Sequence, residues 1–139
     1  MKPGKYYIGD LCHVFTDEEW EEVCSLIIID DDCIEGTFTL KNGKQFTLFN
    51  TAYGDGEYRA FRGGVQIGSV GVDSGTIGCT LIENVHDVDK AVKLGLVVDI
   101  ANSFYPSSSD GDMQFDNIRI YTDEGDEDEY VDSCDEDYE

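Results

Sequence analysis

Acidic charge is segregated along this chain, and that limits how much of it can fold. Residues 10–35 carry ten acidic side chains and no Lys or Arg, and residues 122–139 carry eleven, again with no base. Between them, residues 36–121 hold ten acids against seven bases, a nearly balanced composition. The 139-residue chain as a whole has 31 acids, 9 bases and a formal net charge of −22. In the last stretch only Tyr130, Val131, Cys134 and Tyr138 could bury anything, and like charges that dense repel. The expectation is one folded domain, residues 1–121, followed by a disordered acidic tail, residues 122–139. With 40% hydrophobic and 12% aromatic residues, the body has enough apolar material for a packed core.

The same charge excludes classes of partner. A surface this negative repels phosphate backbones, so direct nucleic-acid binding is not expected. Anionic membrane surfaces are disfavoured for the same reason, and no apolar run reaches the length needed to span a bilayer. The first residues lead into Tyr6-Tyr7-Ile8 rather than a long apolar stretch, and the five cysteines are an odd number. Both point to a reducing cytoplasm with free thiols.

Local patterns then assign elements. Lys5 to Gly9 reads as a short strand. Thr16 followed by Glu19 is the signature of a capping box. Trp20, Val23, Cys24 and Ile27 recur at helical spacing, which predicts a helix over 17–28. Asp17, Glu18 and Glu19 suit the positive end of its dipole. Asp17 with Glu21, and Glu18 with Glu22, are like-charge pairs costing roughly 0.2–0.5 kcal/mol each. Asp30-Asp31-Asp32 would meet the unfavourable end, although Ile27-Ile28-Ile29 also reads as a strand.

Residues 35–41 and 44–50 alternate as the two arms of a hairpin. A two-residue turn at Asn42-Gly43 would set Phe38 opposite Thr47 and split the apolar face. A three-residue loop, Lys41-Asn42-Gly43, pairs Phe38 with Phe46 and places Gly43 in the left-handed position of a bulged type I turn. The second register is the expected one. Val65 to Val72 and Ile77 to Leu81 read as strands interrupted by turns. Asp87 caps a short helix, Val88 to Leu94, stopped by Gly95. Leu96 to Ala101 is a strand, Pro106 to Gly111 a loop, and Met113, Phe115, Ile118 and Ile120 form a strand or hairpin around Asp116-Asn117. The fold class is α+β, mainly antiparallel sheet with one or two helices.

Gly54-Asp55-Gly56-Glu57-Tyr58 and Val72-Asp73-Ser74-Gly75-Thr76 carry a resemblance. The stretch 36–82 resembles small uncharacterised bacterial and phage-type β proteins, in which a Gly-Asp-Gly-x-Tyr turn precedes a Val-Asp-Ser-Gly-Thr strand. The resemblance implies a β-rich fold and no activity.

Signs of catalytic or metal chemistry are sparse. Cys12, Cys24, Cys33, Cys79 and Cys134 with His13 and His86 show neither C-x-x-C nor H-x-x-x-H spacing, so no zinc site and no cofactor is expected. Asp73-Ser74-Gly75 is not a nucleophile elbow, and spacing places neither histidine beside Ser74. Two readings of function follow. In the first, Asp17, Glu18, Glu21, Glu22 and Asp30, Asp31, Asp32 offer a basic protein the dense charge of a nucleic acid. The protein is then an acidic inhibitor, as in phage anti-defence systems that block a nuclease or another nucleic-acid-binding defence protein. In the second, Tyr53, Asp55, Tyr58, Asp73 and Ser74 surround a glycine-rich cleft that binds or hydrolyses a small ligand. A plain interaction or immunity-type protein is the remaining alternative.

Overall fold

The computed structural model describes residues 1–29, 32–52, 54–109 and 111–122. Asp30, Asp31, Tyr53, Asp110 and the stretch 123–139, with the expected tail, lie outside the described residues.

The elements run β1 (Gly4–Gly9), α1 (Asp17–Ile27), β2 (Ile28–Ile29), β3 (Asp32–Cys33), β4 (Gly36–Thr39), β5 (Gln45–Asn50), β6 (Gly56–Arg62), β7 (Val65–Val72), β8 (Thr76–Leu81), α2 (Val88–Leu94), β9 (Leu96–Ile100), β10 (Ser107–Ser109), β11 (Asp112–Phe115) and β12 (Ile118–Tyr121). Two five-stranded antiparallel sheets form, ordered β4-β5-β8-β1-β9 and β10-β11-β12-β6-β7, with β2-β3 a separate two-stranded ladder. This is the expected mainly antiparallel α+β fold. No helix among the described residues is long and apolar enough to cross a membrane.

The first sheet is the middle layer of three. Alternation along β1 shows why: Tyr6 and Ile8 join a core shared with the second sheet, while Tyr7 joins a core shared with the helices. All three side chains are fully buried, which is what an uninterrupted apolar strand requires. The inter-sheet core contains Phe49, Val70, Ile77, Phe115 and Ile120, and the helix-side core contains Val14, Val23, Ile27, Phe46 and Leu48. Each such side chain contributes about 1.5–3 kcal/mol through burial. At Gly78 on β8 the backbone of Thr47 comes so close that an added Cβ would collide with its carbonyl oxygen, so the β5–β8 pairing requires glycine there.

The hairpin adopts the three-residue-loop register. Phe38 lies opposite Phe46 and Thr37 opposite Thr47. The Gly43 N–H donates to Leu40 O at 2.9 Å, and Gly43 has φ +91°. Helix α1 has its capping box, with the Glu19 N–H donating to Thr16 Oγ1 at 3.1 Å and the Thr16 N–H to Glu19 Oε1 at 3.0 Å. Helix α2 has its Asp87 cap on the Lys90 N–H.

Three expectations need correction. The helix ends at Ile27, and Ile28–Ile29 pair with Asp32–Cys33. Of the aspartate cluster, Asp32 therefore lies in a short ladder rather than at a helix end. Ile28 is already extended, its N–H closing the helix on Cys24 O, and its side chain is 52% exposed. Pro106 to Gly111 is not all loop, because Ser107–Ser109 pairs with Asp112–Gln114. Lastly, Thr122 belongs to the folded body. It is fully buried. Its N–H and hydroxyl both donate to Gly111 O, and its Oγ1 accepts from the Ala52 N–H at 3.0 Å.

Candidate functional site

A buried polar cluster forms where β1 ends. Asp10 caps a single 3-10 turn, Leu11–His13, by accepting from the Cys12 N–H at 3.0 Å. The connection from β7 to β8 then folds over it. Asp73 and Ser74 each donate an N–H to Asp10 Oδ2 at 2.7 Å, and the Ser74 hydroxyl donates to Oδ1 at 2.8 Å. Asp10 is 0% exposed. A carboxylate is tolerated there because four donors replace its water. The Ser74 hydroxyl also lies 2.6 Å from Thr76 Oγ1.

His13 faces the same connection from the other side. Its Nε2 is 2.7 Å from Asp73 Oδ2, with side chains 11% and 78% exposed respectively. Because a carboxylate only accepts, Nε2 carries the proton of that bond. The remaining nitrogen, Nδ1, is buried and has no partner. Cys12 stands between Asp10 and His13 in the chain. Burial, then the hydrogen bond and negative charge of Asp10, then the charges of Asp73 and Asp55, push its thiol well above the ordinary cysteine range. Ligand atoms of Asp10, Cys12 and His13 lie within 4.8 Å of one another.

Of the residues expected around a glycine-rich cleft, Tyr53 lies outside the described residues and the other four have distinct settings. Tyr58 is a core residue, its ring in the inter-sheet cluster and its hydroxyl on Gly54 O at 2.9 Å. The Ser74 hydroxyl turns inward to Asp10, and the His13 imidazole pairs with Asp73, so no imidazole is bonded to Ser74. Asp55 is exposed, and its Oδ1 lies 3.9 Å from where a Cβ on Gly75 would stand. The two turns are thus neighbours. Asp73 binds an imidazole from a distant segment rather than its own turn.

The acids of α1 divide into two sets. Glu19 accepts from Lys44 Nζ at 2.5 Å and Asn42 Nδ2 at 3.0 Å, and Glu22 accepts from the Lys41 N–H at 2.7 Å. Both carboxylates therefore hold the loop between β4 and β5. Burial alone would raise the Glu19 carboxyl, but Lys44, the Thr16 N–H and Asn42 together hold it below its usual range. Asp17, Glu18 and Glu21 are exposed, and no cation stands within ion-pair distance of them among the described residues. An open groove of about 830 Å³ runs beside them, lined by Glu18, Glu21, Glu22, Leu26, Thr39 and Lys41. Asp30 and Asp31 lie outside the described residues, and Asp32 sits in β3.

The second sheet carries a different mix of charge, its arginines standing among acids such as Glu57 and Asp112. All three arginines, Arg59, Arg62 and Arg119, sit on β6 and β12 of the second sheet. Arg119 pairs with Asp112 Oδ2 at 2.6 Å and lies 5.0 Å from the Tyr121 ring, which is 5.9 Å from Phe61. Phe61, Arg119 and Tyr121 line a cleft of about 520 Å³ with Gly63, Gly64 and Asn117. The acidic helix and the arginines therefore flank the first sheet on opposite faces.

The sequence reading missed Asp10, His13 and Cys12 as a group. The only local signal is an Asp two residues before the N–H it caps. The partners that bury Asp10 are 63 and 64 residues away. Comparison with known protein families, with curated proteins and with solved structures finds no match for this chain.

Proposed function

We propose that this chain is an acidic protein-binding inhibitor that offers the edge of α1 to the basic groove of a nucleic-acid-binding protein, of the kind blocked in phage anti-defence. The supporting observation is that Asp17, Glu18 and Glu21 are exposed along one edge, with no ion-pair partner among the described residues. Six residues at a rise of about 1.5 Å span about 9 Å. The five acids of 17–22 then give one charge per about 1.8 Å of axis, close to the ~1.7 Å of duplex DNA. Discounting Glu19, which Lys44 neutralises, leaves one per about 2.3 Å. Steering by such a charge row speeds association and makes it steeply salt-dependent. A single charge row matches the electrostatic part of DNA recognition, which carries most sequence-independent binding.

The test compares the wild type with the triple variant Asp17→Lys, Glu18→Lys, Glu21→Lys in affinity capture from a host lysate at low and high salt. The expected result is a basic nucleic-acid-binding protein held by the wild type. Salt, the triple variant or added duplex DNA each release it. A partner retained equally by the triple variant removes α1 from the interface.

A further inference from the structure

We propose that Asp10, Cys12 and His13 form a binding site for a borderline divalent transition ion, zinc being the representative, through Asp10 Oδ1, Cys12 Sγ and His13 Nδ1.

The imidazole carries the first argument. A buried ring nitrogen without a partner is uncommon and asks for an explanation, an ion among them. His13 Nδ1 is such an atom. The other nitrogen is fixed by Asp73 at 2.7 Å, and in the neutral ring this leaves Nδ1 unprotonated, with a lone pair to give. A histidine that donates one N–H to a carboxylate and offers the other nitrogen is the usual arrangement around a metal.

The second argument is convergence. One ligand atom from each of the three residues falls within 4.8 Å of the others, so a modest side-chain adjustment brings them to the Zn–S distance of ~2.3 Å and the Zn–N or Zn–O distances of ~2.0–2.2 Å. Asp10 already accepts four hydrogen bonds. One of them is exchangeable, since the Ser74 hydroxyl can turn to Thr76 Oγ1 at 2.6 Å and leave a lone pair on Oδ1. The backbone donors to Oδ2 stay in place and orient the carboxylate.

Ligand chemistry selects the ion. Thiolate and imidazole disfavour calcium and magnesium, which take oxygen, and suit zinc or cobalt. On binding, the Cys12 S–H bond breaks, its electron pair becomes the sulfur–metal bond and one proton leaves to solvent. Three protein ligands leave one tetrahedral position for water. This site lies on the connection between β1 and α1, and it does not depend on the acidic edge of α1.

The experiment adds Co²⁺ to the full-length chain after chelation and dialysis, then displaces it with Zn²⁺. Expected are a sulfur-to-cobalt charge-transfer band in the near ultraviolet and strong visible bands of tetrahedral cobalt, saturating at one equivalent and bleached by zinc. Cys12→Ser removes the charge-transfer band, whereas Cys24→Ser keeps it. Asp73→Asn weakens affinity about 10-fold to 100-fold by releasing the ring. Cobalt held only by surface carboxylates gives the weak spectrum of an octahedral ion with no sulfur band, and that result overturns the proposal. So does a sulfur band that survives in Cys12→Ser. The wild-type spectrum decides by itself should a variant fail to fold.

Discussion

Asp10 and the acids of α1 are the same chemistry in opposite settings. Asp10 is shut away from water and wrapped by three N–H groups and a hydroxyl. Asp17, Glu18 and Glu21 face solvent, with no ion-pair partner among the described residues. Glu19 and Glu22 lie between these extremes, each tied to the hairpin loop. Acidity in this chain is therefore not one property. A buried carboxylate organises the backbone around it, and an exposed one leaves the fold indifferent and is available to a partner.

The largest effect that tests this contrast is at Asp10. Asp10→Ala strands buried donors from two connections and should cost about 3 kcal/mol or more, read as a lower urea midpoint at unchanged slope. A loss under about 1 kcal/mol would mean that water reaches those donors.

Thr122 offers a second, smaller break. A chain ending at Tyr121 loses the bonds from Thr122 to Gly111 and Ala52. It should be less stable than one ending at Thr122 by about 1–2 kcal/mol, at roughly 1 kcal/mol per net hydrogen bond. Equal melting temperatures would place the end of the fold earlier. Gly43→Val forces a β-branched residue into φ +91° and should cost about 1 kcal/mol or more; an unchanged melting temperature would reject the bulged loop.

Within α1 the differences shrink further. The Asp17, Glu18, Glu21 triple reversal should cost no more than about 1 kcal/mol, because the lost helix-dipole interaction of Asp17 and Glu18 in the first turn is offset in part by relief of like-charge neighbours. Glu22→Lys should cost more than Glu21→Lys, since only Glu22 holds the Lys41 N–H. Glu19 adds a pH signature. Its carboxyl lies below the ordinary 4.5 in the folded chain, so the unfolded chain takes up its proton first. The stabilisation is present above 4.5 and is lost as pH falls through the lower folded value. Glu19→Gln should flatten stability across that acid window, and a slope unchanged from wild type would show that Glu19 does not contribute to it.

How much was legible follows from the range of each interaction. The hairpin register could be read because one apolar face and one glycine agreed within sixteen residues. Both helix starts were visible in their caps, Thr16 and Asp87. The end of α1 was not, because Ile27, Ile28 and Ile29 satisfy either period. Ser107–Ser109 carries no alternation and becomes a strand only through its partner β11. Asp10 read as one more charge in an acidic run. Its burial is set by a connection more than sixty residues on, and no local pattern encodes that.

The position of β1 has a consequence for how the chain is made. Its partners are β8 and β9, with Gly4 opposite Ile100. At about 5–20 residues per second, a ribosome takes roughly 5–20 s to deliver the last of them. During that interval an apolar strand, Tyr6-Tyr7-Ile8, waits with both edges bare, a template for pairing with other nascent chains. The stretch that follows it immediately, residues 10–35, carries ten acids and no base. Mutual repulsion between such segments opposes contact between neighbouring unfinished chains, so the charge set beside β1 acts against mispairing while its partners are still being made.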